Sequence, residues 1–426
     1  MRGLAVWLAL LVVPAANALD WSKPWSEPQD AAAARDQSDE YAWHLFIALN
    51  WPADPIARTA DRASRLGAER PVVWETWQSA GDVYLEDGAD PGPWQPGRRN
   101  QAVPAERRFE TFSLKDLPNA RHIVGGVMVP LVDPLASARR LTEIRLNRAT
   151  FQFIRSRELY NVDGQLRAVA AGRTVSFPYG AKEVKAKWRP ISPAERSRYH
   201  TLLVTLADGT QRLYGLTALH IASKDLPTWF WATFEHVDNP SLPDGEGWQL
   251  PSRDAFACRG EASDCNRAPR DVGLAGTVWQ YYRLRGTMTR FVDAAGVPQR
   301  LANSELEAGF QATASCITCH SRASIGIRAG ALLRLPIFDL VSGESDSDVR
   351  GRRGFTGAPQ AEWFAAGAEQ ATPKFQPLDF VWSLSKARPK KVSNLTAAPV
   401  SRNIFNDSVS RSIALLSNSD DARSLR

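Results

Sequence analysis

Apolar residues recur along the chain with two periods, one typical of helices and one typical of strands. Residues 38–51, SDEYAWHLFIALNW, place Tyr41, Leu45, Ala48 and Leu49 at helical spacing and predict a helix that Ser38 can cap. After this segment, short apolar or alternating runs bounded by turn residues predict strands. These runs include RHIVGGVMVPLV, LLVTLADGTQRLYGLTALHIAS and WFWATFEHV.

Turn residues between these runs predict hairpins and therefore a β-rich part of the chain. Asp208-Gly209 lies between two apolar runs and predicts a hairpin, and a second hairpin is expected at Asp293 to Gly296. Residues 301–315, LANSELEAGFQATAS, indicate helix and loop instead. We therefore expect an α+β protein with a large β-rich part over residues 19–300, followed by a smaller, mostly helical segment over 301–385. The residues 386–426 form a polar tail, and the polar stretches 86–106 and 342–360 are also expected to be weakly ordered.

The N-terminus has the pattern of a secretory signal peptide. Arg2 precedes the apolar run from Leu4 to Val13, and the small residues Ala16-Asn17-Ala18 predict cleavage after Ala18. This run is shorter than the roughly 20 residues needed to span a bilayer, and no later stretch is comparable. We expect a periplasmic protein without an integral membrane segment; the alternative is a retained interfacial anchor.

The four cysteines form two close pairs. Cys258 and Cys265 bound the polar stretch CRGEASDC, which is typical of an exposed turn. In an oxidising compartment this pair is expected to form a disulfide. Two reduced thiols, or a zinc site using all four cysteines, are the alternatives.

The other pair belongs to Ser315-Cys316-Ile317-Thr318-Cys319-His320, which contains the C-x-x-C-H pattern of c-type haem attachment. On a helical turn, positions i, i+3 and i+4 share one face, so both thiols can reach the haem vinyl groups while His320 ligates the iron. A thioredoxin-like dithiol would need a βαβ setting, and zinc would need further ligands at short spacing. The sequence therefore predicts one covalent haem c in the segment 301–385.

The second axial ligand of the iron is less clear from the sequence. No methionine follows Met288, which leaves a histidine, Met288 itself, another side chain or an open position. If WFWATFEHV is a strand, His236 ends an apolar row, and we predict His236 as the distal ligand in preference to His220. His220 is expected to share a strand face with Tyr214, Leu216 and Ala218. Structural roles are expected for the remaining histidines, His44, His122 and His200.

Charged residues add two further expectations. Arg322 and Arg328 follow the motif and either neutralise haem propionates or lie solvated on a helix. The chain has 52 Lys and Arg against 46 Asp and Glu, a net charge of +6 and a pI near 9.2. This balance favours an acidic redox partner protein. Because no basic stripe with interleaved aromatic residues occurs, no nucleic-acid partner is expected.

Several segments resemble a group of exported bacterial proteins of the cytochrome c family. They are ASCITCHSRASI, FIALNWPAD, EIRLNRATFQFI, KEVKAKWR, WFWATFEHVDNP, YYRLRGTMTRF and ANSELEAGF, and the likeness covers roughly residues 41–385. The resemblance implies a single haem attached through Cys316 and Cys319, with His320 as proximal ligand, and it implies no substrate or partner. A polar residue often stands at the position of Met288 in that group, so the resemblance does not support Met288 as an iron ligand.

Two functional classes follow from these observations. A lone C-x-x-C-H favours a periplasmic electron-transfer cytochrome. The missing methionine and the large β-rich part favour a haem oxidoreductase, peroxidase-like, with an open distal site. A haem-based sensor is a third interpretation, but no signalling segment supports it.

Overall fold

The computed structural model describes residues 19–94, 123–124, 127–128, 141–205, 209–241, 247–261, 264–328, 331–335, 338–340, 352–364 and 375–390. The predicted signal peptide, His122 and most of the polar tail lie outside these residues. Within the described ranges, none of the helices combines the length and apolarity needed to cross a bilayer.

A seven-stranded antiparallel sheet forms the centre of the fold. Its order is β11-β10-β9-β7-β6-β3, with β8 pairing along the first half of the long strand β9. The strands are β3 (Gln78–Ser79), β6 (Leu141–Leu146), β7 (Lys182–Pro190), β8 (Thr201–Thr205), β9 (Gln211–Ser223), β10 (Phe230–His236) and β11 (Tyr282–Met288).

Short strands and helices surround this sheet. The further strands are β1 (Ala53–Asp54), β2 (Thr59–Ala60), β4 (Ile123–Val124), β5 (Val127–Met128), β12 (Ser324–Arg328), β13 (Ala331–Leu333), β14 (Phe338–Leu340), β15 (Arg352–Gly354) and β16 (Gln376–Pro377). The described α-helices are α1 (Ala31–Asp36), α2 (Ser38–Leu49), α3 (Ala80–Val83), α4 (Arg148–Ser156), α5 (Val162–Ala170) and α6 (Cys316–Ser321).

The two faces of the sheet bury different cores, because side chains alternate along each strand. On the first face, Phe230, Ala232 and Phe234 pack with α1 and α2. On the second face, Trp231 and Met288 pack with α4, α5 and the segment that follows residue 300. The second face therefore positions the C-x-x-C-H motif.

The helix predicted at residues 38–51 is confirmed as α2, but the predicted cap is wrong. Gln37 occupies the N-cap position because α1 ends immediately before it. The Ser38 hydroxyl instead accepts a hydrogen bond from Thr287 Oγ1, 2.8 Å away, which joins α2 to β11.

The predicted hairpins are present. Strands β8 and β9 pair from Thr201↔Gly215 to Thr205↔Gln211, around the turn expected at Asp208-Gly209. At Asp293–Gly296 the hairpin is a single turn, closed by an antiparallel bridge between Val292 and Pro298.

The α+β fold class with a large β-rich part is confirmed. The described residues of the segment 301–385 contain one α-helix, α6, beside five short strands, so this described part is less helical than expected. The Asn303 and Ser304 side chains hydrogen-bond to Thr233 and Glu235 of the sheet. Such side-chain bonds compete with helix formation, which the apolar pattern of LANSELEAGF did not indicate.

Candidate functional site

Helix α6 turns its three chemically distinctive side chains toward one accessible side. Cys316, Cys319 and His320 are half-buried, whereas Ile317 and Thr318 between them are buried. Ile317 belongs to the second core, and Thr318 Oγ1 donates a hydrogen bond to the Gly357 carbonyl at 2.7 Å. The helix is thus fixed through its inner face, and its outer face presents two thiols and an imidazole at i, i+3 and i+4.

The imidazole of His320 is held through one nitrogen. Nδ1 lies 2.8 Å from the carbonyl oxygen of Phe380, to which it donates. The ring also contacts Trp231, with 4.4 Å between ring centroids. Among the described residues, Nε2 has no hydrogen-bond partner. A metal-ligating histidine commonly donates its other N–H to a carbonyl or carboxylate in this way.

Burial keeps this imidazole neutral. Desolvation lowers the pKa of His320 to about 4, and the nearby charges of His220 and Lys185 act in the same direction. The side chain nevertheless retains accessible surface, as expected for a group that lines a recess. Neutral imidazole is the form that coordinates a metal.

A strained turn supplies the carbonyl that holds His320. Asp379 and Phe380 have φ angles of 48° and 67°, in the left-handed region that few non-glycine residues adopt. The Asp379 carboxylate fixes the turn by accepting hydrogen bonds from Lys224 Nζ at 2.6 Å and from the Phe177 backbone N–H at 2.7 Å. Strain of this kind persists where surrounding contacts impose it, often at functional sites.

Both thiols of the motif are held in the protonated form by burial. Burial raises the pKa of the Cys319 thiol to about 12 and also raises that of Cys316. Reactive and zinc-bound cysteines need the thiolate form, which a lowered pKa favours. In the described part of the chain, no cluster of three or more His, Cys, Asp or Glu side chains is arranged to hold a metal ion. The raised thiol pKa values disfavour a redox dithiol, which reacts as the thiolate.

The fold does not bring His236, the predicted distal ligand, to the C-x-x-C-H motif. His236 does share a face with Phe230, Ala232 and Phe234, but Trp231, which contacts His320, points to the other face. The His236 ring is fully buried, stacks on Tyr199 at 3.7 Å and places Nε2 3.0 Å from the Arg198 carbonyl. It is a core histidine.

His220 lies on the face that carries the motif. The sequence grouped it with Tyr214 and Leu216, but a bulge at Thr217 reverses the alternation of β9 between Leu216 and Ala218. His220 therefore lies across from Lys185 of β7 and Thr233 of β10. This shift could not be read from a regular two-residue period.

A carboxylate holds the ring of His220. Nε2 lies 3.0 Å from Glu307 Oε1, and the other oxygen of Glu307 accepts the Asn303 backbone N–H at 2.8 Å. Burial opposes ionisation of Glu307, but His220 and Lys185 outweigh it and lower its pKa. Sequence reasoning missed Glu307 and Lys185, because neither lies in a recognisable motif.

Met288, His44 and His200 make packing contacts typical of structural residues. Met288 is buried in the second core, and its sulfur accepts a hydrogen bond from Ser315 Oγ at 3.5 Å. His44 stacks on Trp21 at 4.7 Å, and His200 stacks on Trp279 at 4.8 Å. Both of these histidines lie with the first core, as their predicted structural role requires.

The structure describes the side chain of only one of the two arginines that follow the motif. Arg322 is not a solvated helix residue, because its buried guanidinium lies over the rings of Phe355 and Trp363, at 3.7 and 4.4 Å. A role toward haem propionates stays a prediction for Arg322. The side chain of Arg328 lies outside the described residues, so its predicted role is untested.

The remaining cysteines are joined as a disulfide. Cys258 and Cys265 lie with their Cα atoms 6.0 Å apart, a separation typical of disulfides. The loop packs near β11, where Arg283 Nη1 lies 3.3 Å from the Cys265 carbonyl oxygen.

A scan against protein-family models, a search of curated proteins and a search of solved structures all find no match to this chain.

Proposed function

We propose that this protein is a periplasmic c-type cytochrome that carries one haem, bound covalently through Cys316 and Cys319, with His320 as the proximal iron ligand. One observation carries the proposal: both thiols and His320 share the accessible side of α6, while the Phe380 carbonyl holds Nδ1 and leaves Nε2 available.

When bound, haem supplies one-electron chemistry between its ferric and ferrous states. The chain's own residues bind and orient it. The second core immobilises α6, the Phe380 carbonyl selects the tautomer and orientation of His320, and Trp231 packs beside the imidazole ring. This rigid setting suits electron transfer, in which little rearrangement is needed.

The chemistry of the two cysteine pairs supports the proposed periplasmic location. Thioether attachment and a stable disulfide both need an exported, oxidising setting, and the chain contains a C-x-x-C-H motif and the Cys258–Cys265 disulfide. The apolar N-terminal run predicts the export signal. An acidic redox protein is the proposed partner, on the basis of the net charge of +6.

A second function is favoured by the charged groups near the motif. Lys185, His220 and Glu307 lie close enough to His320 to influence its protonation. Acid and base groups beside an open iron position are what a peroxidase-like haem oxidoreductase requires. This alternative needs the distal side to be open to small molecules.

The visible spectrum with and without carbon monoxide separates the two functions. For an electron-transfer cytochrome we expect reversible reduction and a ferrous spectrum that carbon monoxide leaves unchanged, because both axial positions are filled. Rapid carbon monoxide binding to the wild-type protein, together with turnover of hydrogen peroxide, would contradict electron transfer and support the oxidoreductase.

A further inference from the structure

We propose that His220 is the second axial ligand of the haem iron, opposite His320. This inference rests on the proposed function and deepens it, because it assigns the residue that closes the distal side. It replaces His236, which the fold places on the other face of the sheet.

The register of the sheet brings His220 to the motif. On β10, Trp231 pairs with Ala222 of β9, and Thr233 pairs with His220. Two residues along a strand share a face, so His220 lies diagonally across from Trp231, whose ring contacts His320. His220 therefore lies on the same face of the sheet as Trp231, the residue that His320 contacts from α6.

The contacts of His220 are those of a supported metal ligand. Glu307 holds Nε2 at 3.0 Å, and Nδ1 has no hydrogen-bond partner among the described residues. Glu307 is itself fixed to the sheet through Asn303, whose side chain donates to Thr233 Oγ1 at 2.8 Å. As in His320, one ring nitrogen is held and the other is available, but the roles are exchanged: Nε2 of His220 is held by Glu307, and Nδ1 is the nitrogen available to a metal.

Partial exposure also distinguishes His220 from His236. Its side chain retains 18% of its accessible surface and that of Glu307 17%, whereas His236 retains none. A ligand needs its free nitrogen to face the recess that the cofactor would occupy. Met288, the remaining ligand candidate, is buried beneath the start of α6 with its sulfur already bonded to Ser315.

The test compares two histidine variants in the haem-loaded, exported protein. In His220→Ala, the ferric spectrum should change from low spin to high spin, and the ferrous form should bind carbon monoxide. Added imidazole should restore the low-spin spectrum by filling the vacated position. In the matched control His236→Gln, taken from the adjacent strand of the same sheet, the spectrum should remain that of the wild type.

Several outcomes would overturn the proposal. An unchanged low-spin spectrum in folded, haem-loaded His220→Ala would exclude His220, and so would a wild-type protein that is already high spin. If His220→Ala does not fold, near-infrared magnetic circular dichroism of the wild type decides, because it distinguishes two histidine ligands from histidine with methionine. Absence of covalent haem from the wild type is a separate result, which would contradict the proposed function itself.

Discussion

At the scale of the residue, the imidazoles of His320 and His236 differ in whether the second ring nitrogen has a partner. The motif residue His320 donates Nδ1–H to Phe380 and leaves Nε2 without a described partner. His236 uses both nitrogens, since Nδ1 accepts the Asp238 backbone N–H at 3.2 Å and Nε2 faces the Arg198 carbonyl. This difference fits the proposed role of His320 as an iron ligand and the core position of His236.

His236 should make stability depend on pH. Burial lowers its pKa from 6.5 to about 4, so the unfolded chain binds more protons between these values. Stability is therefore lost as the pH falls from 6.5 toward 4, and the loss attributable to His236 is about 2 kcal/mol at pH 5. In His236→Gln, the free energy of unfolding in urea should fall less between pH 7 and pH 5 than in the wild type. Equal losses in the two proteins would show that His236 does not titrate on unfolding.

At the scale of the element, the sequence predicted individual helices and strands of the site but not how they come together. The C-x-x-C-H spacing predicted the shared face of α6, and the apolar alternation of WFWATFEHV predicted strand β10. The position of the site could not be predicted, because alternation defines two faces without saying which one receives the motif. The bulge at Thr217 further displaced His220 from the row that a regular strand would give it.

The turn at Asp379-Phe380 is the element that most directly orients His320, and its anchoring can be tested. Lys224 and Asp379 form a nearly buried ion pair, with side-chain accessibilities of 7% and 9%. Asp379→Asn keeps a residue type that tolerates the positive φ but leaves the Lys224 charge uncompensated, at a cost of about 3 kcal/mol in unfolding free energy. The double variant Lys224→Met, Asp379→Asn should be more stable than Asp379→Asn alone. A double variant that loses the sum of both single losses would show that the pair is not coupled.

At the scale of the whole molecule, the two faces of the central sheet pack against different parts of the chain. Its first face buries an aromatic-rich core against α1 and α2, and its second face supports the motif, Lys185, His220 and Glu307. The α+β class and the β-rich part followed from the strand patterns. The small amount of helix among the described residues after residue 300 did not, because Asn303 and Ser304 bond to the sheet over long sequence distances.

The net charge of +6 should affect reaction rates with charged redox partners. Attraction between opposite charges raises association rates, and salt screens it over about 10 Å at 0.1 M. Oxidation of the ferrous protein by anionic ferricyanide should slow as ionic strength rises, and oxidation by cationic hexaammineruthenium(III) should accelerate. Stopped-flow rates that respond to salt in the same direction for both oxidants would contradict electrostatic steering by a basic surface.

The attachment of haem to α6 is the central claim, and mass spectrometry of the exported protein tests it most directly. After denaturation and acid-acetone extraction, the proteolytic peptide containing Cys316, Cys319 and His320 should retain the mass of one haem. The control variant Cys258→Ala, Cys265→Ala should retain it too, while losing about 2 kcal/mol of stability with its short disulfide loop. The variant Cys316→Ala, Cys319→Ala should carry no covalent haem. A wild-type peptide without the added mass, with all haem in the acetone, would contradict the account.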